Sequence, residues 1–158
     1  ASGAAATGFA GWIACGFGSG LSPVAPGTAG SLAALIPWLA LRDLSWPLYL
    51  GVVALAFAIG VWASNVAIAR LRIADPGAVV VDEFVGQWIA LLPLVVAPHA
   101  WPWIVAGFVL FRIFDVWKPW PVSWADRRVK GGSGVMLDDV AAGAYAAIAL
   151  EMVLRVLA

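Results

Sequence analysis

The chain has 158 residues, of which 63% are hydrophobic and 11% are charged, with equal numbers of basic and acidic side chains. Soluble domains contain about 45–50% apolar and about 25% charged residues, so this composition indicates an integral membrane protein. A formal net charge of zero gives no support for nucleic-acid binding. The only cysteine, Cys15, excludes an internal disulfide and a cysteine-based metal site. The length predicts a single domain over residues 1–158.

Apolar runs divide the chain into a series of predicted helices. The glycine-rich stretch 7–20 is too short and broken to cross a bilayer, so we expect an interfacial or packed half-helix. The run 29–41, expected to begin near Gly30 or Ser31, is shorter than the about 20 residues that a span needs, so it crosses with help from neighbours or is re-entrant. Four longer segments are predicted membrane helices: 47–69, 79–96, 101–117 and 137–157. The fold class is therefore an all-α, compact membrane bundle of about five membrane helices plus an N-terminal interfacial or re-entrant segment.

The basic residues predict the orientation of this bundle. If the helices alternate in direction, one side of the membrane receives seven Lys and Arg residues and the other side receives two. Cytoplasmic connections carry the excess of Lys and Arg, so we expect the basic side to face the cytoplasm. The same side receives most of the acidic residues: Asp75, Asp82, Glu83, Asp115, Asp126, Asp138 and Asp139. The polar chemistry of the chain is thus predicted at one membrane face.

Half of the charged residues lie between positions 112 and 139, in a polar segment between two predicted membrane helices. Arg112, Asp115 and Lys118 follow one another at i, i+3 and i+6, so they share one helix face. One interpretation is a salt-bridge ladder at the interface. The other is a site in which Arg112 or Lys118 binds phosphate and Asp115 orients the cation or a metal. The basic loop that follows, with Arg127, marks topology, contacts anionic lipid or binds substrate.

Two acidic pairs, Asp82-Glu83 and Asp138-Asp139, each open a predicted apolar helix. The helix macrodipole alone favours an acid there by about 0.3–1 kcal/mol. Four carboxylates at one membrane level nevertheless repel one another unless a cation lies between them. Hard divalent cations prefer oxygen ligands, and the absence of a histidine or cysteine cluster favours Mg²⁺ or Mn²⁺ over zinc. The only histidine, His99, is predicted on the opposite side, so histidine-dependent mechanisms lack their base.

Four blocks of the sequence resemble the successive signature segments of the phosphatidylglycerophosphatase A family. They are GFGSGLSPVAPGTAGSLAA (16–34), VVDEFVGQWI (80–89), AGFVLFRIFDVWKPWPVSWADR (106–127) and GGSGVMLDDVAAG (131–143). The resemblance implies a multi-pass lipid phosphatase of the bacterial inner membrane. It would use Mg²⁺ to hydrolyse phosphatidylglycerophosphate to phosphatidylglycerol and inorganic phosphate. By position, the resemblance implies metal-binding carboxylates at Asp82, Glu83, Asp138 and Asp139, and polar motif positions at Thr28, Arg112, Asp115 and Lys118.

We therefore expect a phosphatase in which metal-activated water attacks phosphorus, while Arg112 and Lys118 offset the charge of the phosphoryl group. An aspartyl-phosphate intermediate is the mechanistic alternative. A protein of another class, an ion- or proton-coupled transporter, would carry its acids near the membrane midplane. The predicted position of the acids at helix ends favours the enzyme. The sequence gives no prediction of oligomeric state.

Overall fold

The computed structural model describes residues 2–158, and every regular element in this range is helical, which confirms the all-α prediction. Two of the helices, α4 and α9, are long and apolar enough to cross a membrane. The number of about five spans stays a prediction. In chain order the helices are α1 Ser2–Ala5, α2 Gly8–Ala14, α3 Pro26–Leu41, α4 Trp46–Leu71, α5 Val81–Ala90, α6 Leu92–Val96, α7 Pro102–Trp117, α8 Val122–Arg128 and α9 Gly131–Leu157, with a short 3-10 helix at Ser19–Leu21.

The last helix, α9, is the centre of the bundle. It packs most extensively against α5 and also contacts α4, α7 and α8. Its buried side chains Met136 and Leu150 join Trp38 of α3 and Tyr49 of α4 in the main apolar core. A residue on α9 is therefore held by several helices at once.

The start of α9 differs from the prediction. The helix begins at Gly131 rather than near Leu137, so Asp138 and Asp139 lie about two turns inside it and not at its first turn. A long-range contact supports this earlier start: the side-chain amide oxygen Oδ1 of Asn65, on α4, accepts a hydrogen bond of 2.7 Å from the backbone N–H of Gly132. The glycines at this end also allow α9 to approach α4 closely, because a Cβ on Gly132 would collide with the carbonyl oxygen of residue 61.

Two other boundaries also differ. Helix α3 begins at Pro26, a residue suited to a first helical position, rather than near Ser31. The predicted helix 79–96 is divided into α5 and α6 at Leu91, where Pro93 follows in the first turn of α6 and lacks a backbone N–H for a continuous helix. The segment after α7, which was not predicted as a helix, contains α8.

The N-terminal stretch 7–20 forms the short helix α2 and part of the 3-10 helix, as expected for a broken half-helix. Helix α2 packs against α4, and the carbonyl oxygen of Ala14 accepts a hydrogen bond of 2.8 Å from the backbone N–H of Val80. This contact fixes the chain just before α5 begins. An interfacial position for this segment stays a prediction.

A close crossing of α5 and α9 positions the acidic residues. A Cβ on Gly86 would lie 2.8 Å from the carbonyl oxygen of Asp139 and 2.5 Å from the ring of Phe111, and a Cβ on Gly143 would collide with the carbonyl oxygen of Gly86. Small residues of this kind let helix backbones approach closely in membrane proteins. Since the crossing lies one turn from each acidic pair, it brings the two pairs together.

Candidate functional site

A cavity of about 490 Å³ opens beside the beginning of α5 and the first turns of α9. Its polar wall is almost entirely charged, and apolar side chains such as Val79 and Val116 complete it. The charged residues that line it are Asp75, Asp82, Glu83, Asp115, Asp126, Asp138, Asp139, Lys118 and Lys130. All four carboxylates predicted as metal ligands therefore face one cavity.

Asp82, Asp138 and Asp139 form a first carboxylate triad. One oxygen from each side chain lies within 4.8 Å of the others. Asp139 is only 2% exposed, and among residues 2–158 neither its Oδ2 nor the buried Oδ1 of Asp82 has a hydrogen-bond partner. Buried polar atoms are nearly always paired in folded proteins, so these two oxygens are candidates for binding a ligand. An all-oxygen set of three carboxylates fits a hard divalent cation such as Mg²⁺.

Glu83, Asp115 and Asp139 form a second triad with the same 4.8 Å spacing, but here a cation of the protein is already in contact. The Nη1 atom of Arg112 lies 2.7 Å from Glu83 Oε2 and 2.7 Å from Asp115 Oδ2. The hydroxyl of Ser31 donates a further hydrogen bond of 3.0 Å to Glu83 Oε2. The guanidinium therefore compensates two of the three carboxylates in the second triad. Within residues 2–158, no such partner reaches Asp82 Oδ1 or Asp139 Oδ2 of the first triad.

Lys118 links the end of α7 to α8 and α9. Its backbone has a positive φ of 51°, which turns the chain away from α7, and its ammonium nitrogen lies 2.8 Å from Asp126 Oδ1 and 3.2 Å from Asp138 Oδ2. Burial tends to lower the pKa of Lys118, but the hydrogen bonds and negative charges of Asp126 and Asp138 outweigh it, so the pKa stands above its ordinary value. The hydrogen bond from Lys118 in turn lowers the pKa of Asp126. Lys118 thus stays charged and holds Asp138 within the first triad.

Three predicted substrate contacts, Thr28, Arg112 and Arg127, are not among the cavity-lining residues in the described range 2–158. The polar contacts of Arg112 go to the second triad and Ser31, and Arg127 Nε donates to a carbonyl oxygen of its own helix at 3.2 Å. From the same turn as Thr28, it is Gly27 that lines the cavity, where a Cβ would lie 2.5 Å from Glu83 Oε1. Of the predicted phosphate-binding cations, only Lys118 reaches the cavity.

The sequence did not reveal the contacts of Ser31, Asn65 and Lys130. Ser31 was expected near the start of α3; it lies inside that helix and donates to a carboxylate 52 positions away. Asn65 was available as a signal, because an amide inside a long apolar helix usually bonds to a neighbouring helix, but its partner could not be read from the sequence. Lys130 was grouped with a basic loop, although it lines the cavity.

Comparisons with known proteins give matches over most of the chain. The family model described as phosphatidylglycerophosphatase A matches residues 12–154. The chain is 50% identical over 135 residues to phosphatidylglycerophosphatase A of Escherichia coli (strain K12), which covers 85% of this chain and 77% of that protein. It is 42% identical over 137 residues to the Haemophilus influenzae protein of the same name, covering 86% and 83%. A Bacteroides thetaiotaomicron protein named "Putative phosphatidylinositol-3-phosphatase" is 47% identical over 149 residues, covering 89% and 90%. No solved structure matches the chain.

Proposed function

Since the chain belongs to the phosphatidylglycerophosphatase A family, we propose that it hydrolyses the terminal phosphate monoester of phosphatidylglycerophosphate to phosphatidylglycerol and inorganic phosphate. Relatives named as phosphatases of this substrate at 42% and 50% identity support a phosphatase. The observation that carries the proposal is the first triad, formed by the cavity-facing carboxylates of Asp82, Asp138 and Asp139. Two buried oxygens of this triad have no hydrogen-bond partner in the part of the chain that the structure describes.

Mg²⁺ is the cation proposed for Asp82, Asp138 and Asp139. The three carboxylates match the oxygen chemistry of this ion, which binds through a few carboxylates together with waters and phosphate oxygens. When bound, Mg²⁺ supplies a Lewis acid that offsets charge on a phosphoryl group and lowers the pKa of water. Because Arg112 already contacts Glu83 and Asp115, we propose that the guanidinium takes the place of a second metal ion, so that one ion binds per chain.

The remaining site residues hold this arrangement in place. Arg112 lets Glu83 and Asp115 remain close to Asp139 without mutual repulsion, since opposite charges at 2.7 Å compensate them. Lys118 holds Asp138 and supplies positive charge at the cavity wall, where it would also offset charge that develops on the phosphoryl group. Water is the proposed nucleophile. Acid quenching of a single turnover with radiolabelled substrate distinguishes it from the aspartyl-phosphate alternative, which would leave label on the protein.

The cavity suits an amphipathic substrate. Apolar side chains, Val79, Val116, Val129 and Val135, line it together with the acids, so the lipid tails can stay in the bilayer while the headgroup enters the polar part. We propose a multi-pass protein of the bacterial inner membrane with the cavity at the cytoplasmic face. A variant without Cys15 that carries a cysteine in place of exposed Arg128 tests this orientation, by labelling from either side of sealed vesicles.

The activity is tested with purified protein by following phosphate release from phosphatidylglycerophosphate, with and without EDTA. We expect phosphate release to depend on metal and to be lost in Asp139→Asn. The exposed control Asp43→Asn should keep wild-type activity. Ion flux in liposomes without phosphate release would instead support the transporter. Phosphatidylinositol 3-phosphate belongs in the same assay as a second candidate substrate, because the relative that bears this name is 47% identical. Preference for it over phosphatidylglycerophosphate would reverse the proposed specificity.

A further inference from the structure

The proposed substrate carries two phosphates, a terminal monoester and a diester that joins the headgroup to the lipid. A cavity that binds the whole headgroup therefore needs positive charge at two positions. Of the Lys and Arg residues in the described range 2–158, Lys118 and Lys130 line the cavity. Lys118 already contacts two carboxylates, at 2.8 Å and 3.2 Å.

Lys130 differs from Lys118 because it forms no salt bridge within 4.0 Å among residues 2–158. It is exposed and immediately precedes α9, with an extended backbone of φ −110° and ψ 167°. Its charge is near enough to help lower the pKa of Asp126, but with no ion pair in the described range its ammonium group can still contact a ligand in the cavity. A lysine ammonium is a compact charge that commonly binds phosphate.

Lys130 lies just before α9, and the first turns of that helix separate it from the first triad. From Gly131 to Asp138 the helix axis rises about 10 Å. Helical side chains tilt toward the N-terminus, so the side chains of Asp138 and Asp139 lean toward the end that carries Lys130. Gly131 and Gly134, which lie between, also line the cavity. The cavity therefore extends along the first turns of α9 from the triad to Lys130, which forms no salt bridge in the described range.

We propose that Lys130 binds the phosphodiester of the lipid headgroup while the terminal monoester lies at the carboxylate triad. This inference rests on the proposed function. The two phosphates of the substrate are separated by a glycerol unit, and the cavity offers two separated binding positions. Lys130 then contributes to substrate selection, since a lipid phosphate monoester without the diester leaves it without a partner.

Two probes separate the two positions. Short-chain phosphatidylglycerol carries the diester alone, and inorganic phosphate resembles the monoester. Calorimetric titration of each probe, in detergent with Mg²⁺, is compared for wild type, Lys130→Gln, Lys130→Arg and Arg128→Gln. Arg128 is the matched control, because it is a neighbouring exposed cation that does not line the cavity in the described structure.

We expect Lys130→Gln to weaken phosphatidylglycerol binding about tenfold, the effect of one charge-assisted hydrogen bond, and to leave inorganic phosphate unchanged. Lys130→Arg should retain most of the affinity. The proposal is overturned if Lys130→Gln loses no affinity, loses equal affinity for both probes, or loses affinity for inorganic phosphate alone. It is also overturned if Arg128→Gln shows the same loss of affinity. These titrations need no turnover, so they test Lys130 independently of the activity. If wild type releases no phosphate from phosphatidylglycerophosphate, that result separately refutes the proposed function.

Discussion

Replacement of Gly86 by alanine tests whether the crossing of α5 and α9 positions the carboxylates. The new Cβ would lie 2.8 Å from the carbonyl oxygen of Asp139, where ordinary contact begins at 3.4 Å, and 2.5 Å from the ring of Phe111. Phe111 is fully buried, so its ring has little room to move aside. The shortfall of about 0.6 Å relative to Asp139 must then be met by a shift of α9 against α5.

Such a shift acts directly on the first triad, because Asp82 lies one turn before Gly86 on α5 and Asp139 belongs to the displaced turn of α9. A misplacement of about 1 Å in a catalytic site can cost about 100-fold in rate, so a shift of this size should lower kcat/KM about 10- to 100-fold. Overpacking should cost about 1–3 kcal/mol of stability. We expect a folded protein with weakened activity and weakened Mg²⁺ binding.

The measurements are phosphate release, Mg²⁺ affinity and thermal unfolding in detergent. Gly51→Ala is the matched control, since it is also a helical glycine and its Cβ would have no atom within 4 Å. Gly143→Ala probes the same crossing from α9, where the obstacle is the carbonyl oxygen of Gly86. Wild-type kcat/KM and Mg²⁺ affinity in folded Gly86→Ala protein would refute the proposed coupling between the crossing and the triad.

The remaining predictions concern the cap of α9, the role of Arg112 and the metal. Asn65→Ala removes the acceptor for the Gly132 N–H and should lower the free energy of unfolding by about 0.5–2 kcal/mol, as the loss of an N-cap does. Asn65→Asp keeps an acceptor and is the control. An unchanged Tm in the alanine variant would contradict the assignment. Arg112→Met leaves Glu83 and Asp115 uncompensated and should destabilise the protein by about 3–5 kcal/mol in the absence of metal. Mn²⁺ titration followed by electron paramagnetic resonance should give one bound ion per chain in wild type and two in Arg112→Met. Two bound ions in wild type would refute the proposal that the guanidinium takes the place of a second metal ion. Chelation with EDTA should abolish phosphate release, and Mg²⁺ should restore it.

Local chemistry predicted much of the candidate site. The pairs Asp82-Glu83 and Asp138-Asp139 are conspicuous because acids are costly beside long apolar runs. Helix alternation alone predicted that both pairs lie at one membrane level. The structure brings three of these four acids into one triad. Composition was likewise enough to predict an all-helical membrane protein.

Long-range contacts limited the rest. The first turns of α9 contain glycines, which are poor helix formers, and what stabilises them is Asn65, 67 positions away. Arg112 looked available for phosphate because its neighbours in sequence do not reveal Glu83, 29 positions away, as its partner. Ser31 was missed for the same reason. Intrinsic propensity and spacing describe a helix, but they do not show which polar group from another helix satisfies it.

The position of the acids on α9 would couple the carboxylate site to the thickness of the surrounding bilayer. In the proposed topology, the helix that crosses the bilayer also carries Asp138 and Asp139, without a flexible joint between the apolar part and the carboxylates. A thinner or thicker bilayer changes the tilt of a crossing helix, and so would change the height of these carboxylates relative to the lipid headgroups. Acyl-chain length in reconstituted vesicles would thereby tune turnover without any change in the protein.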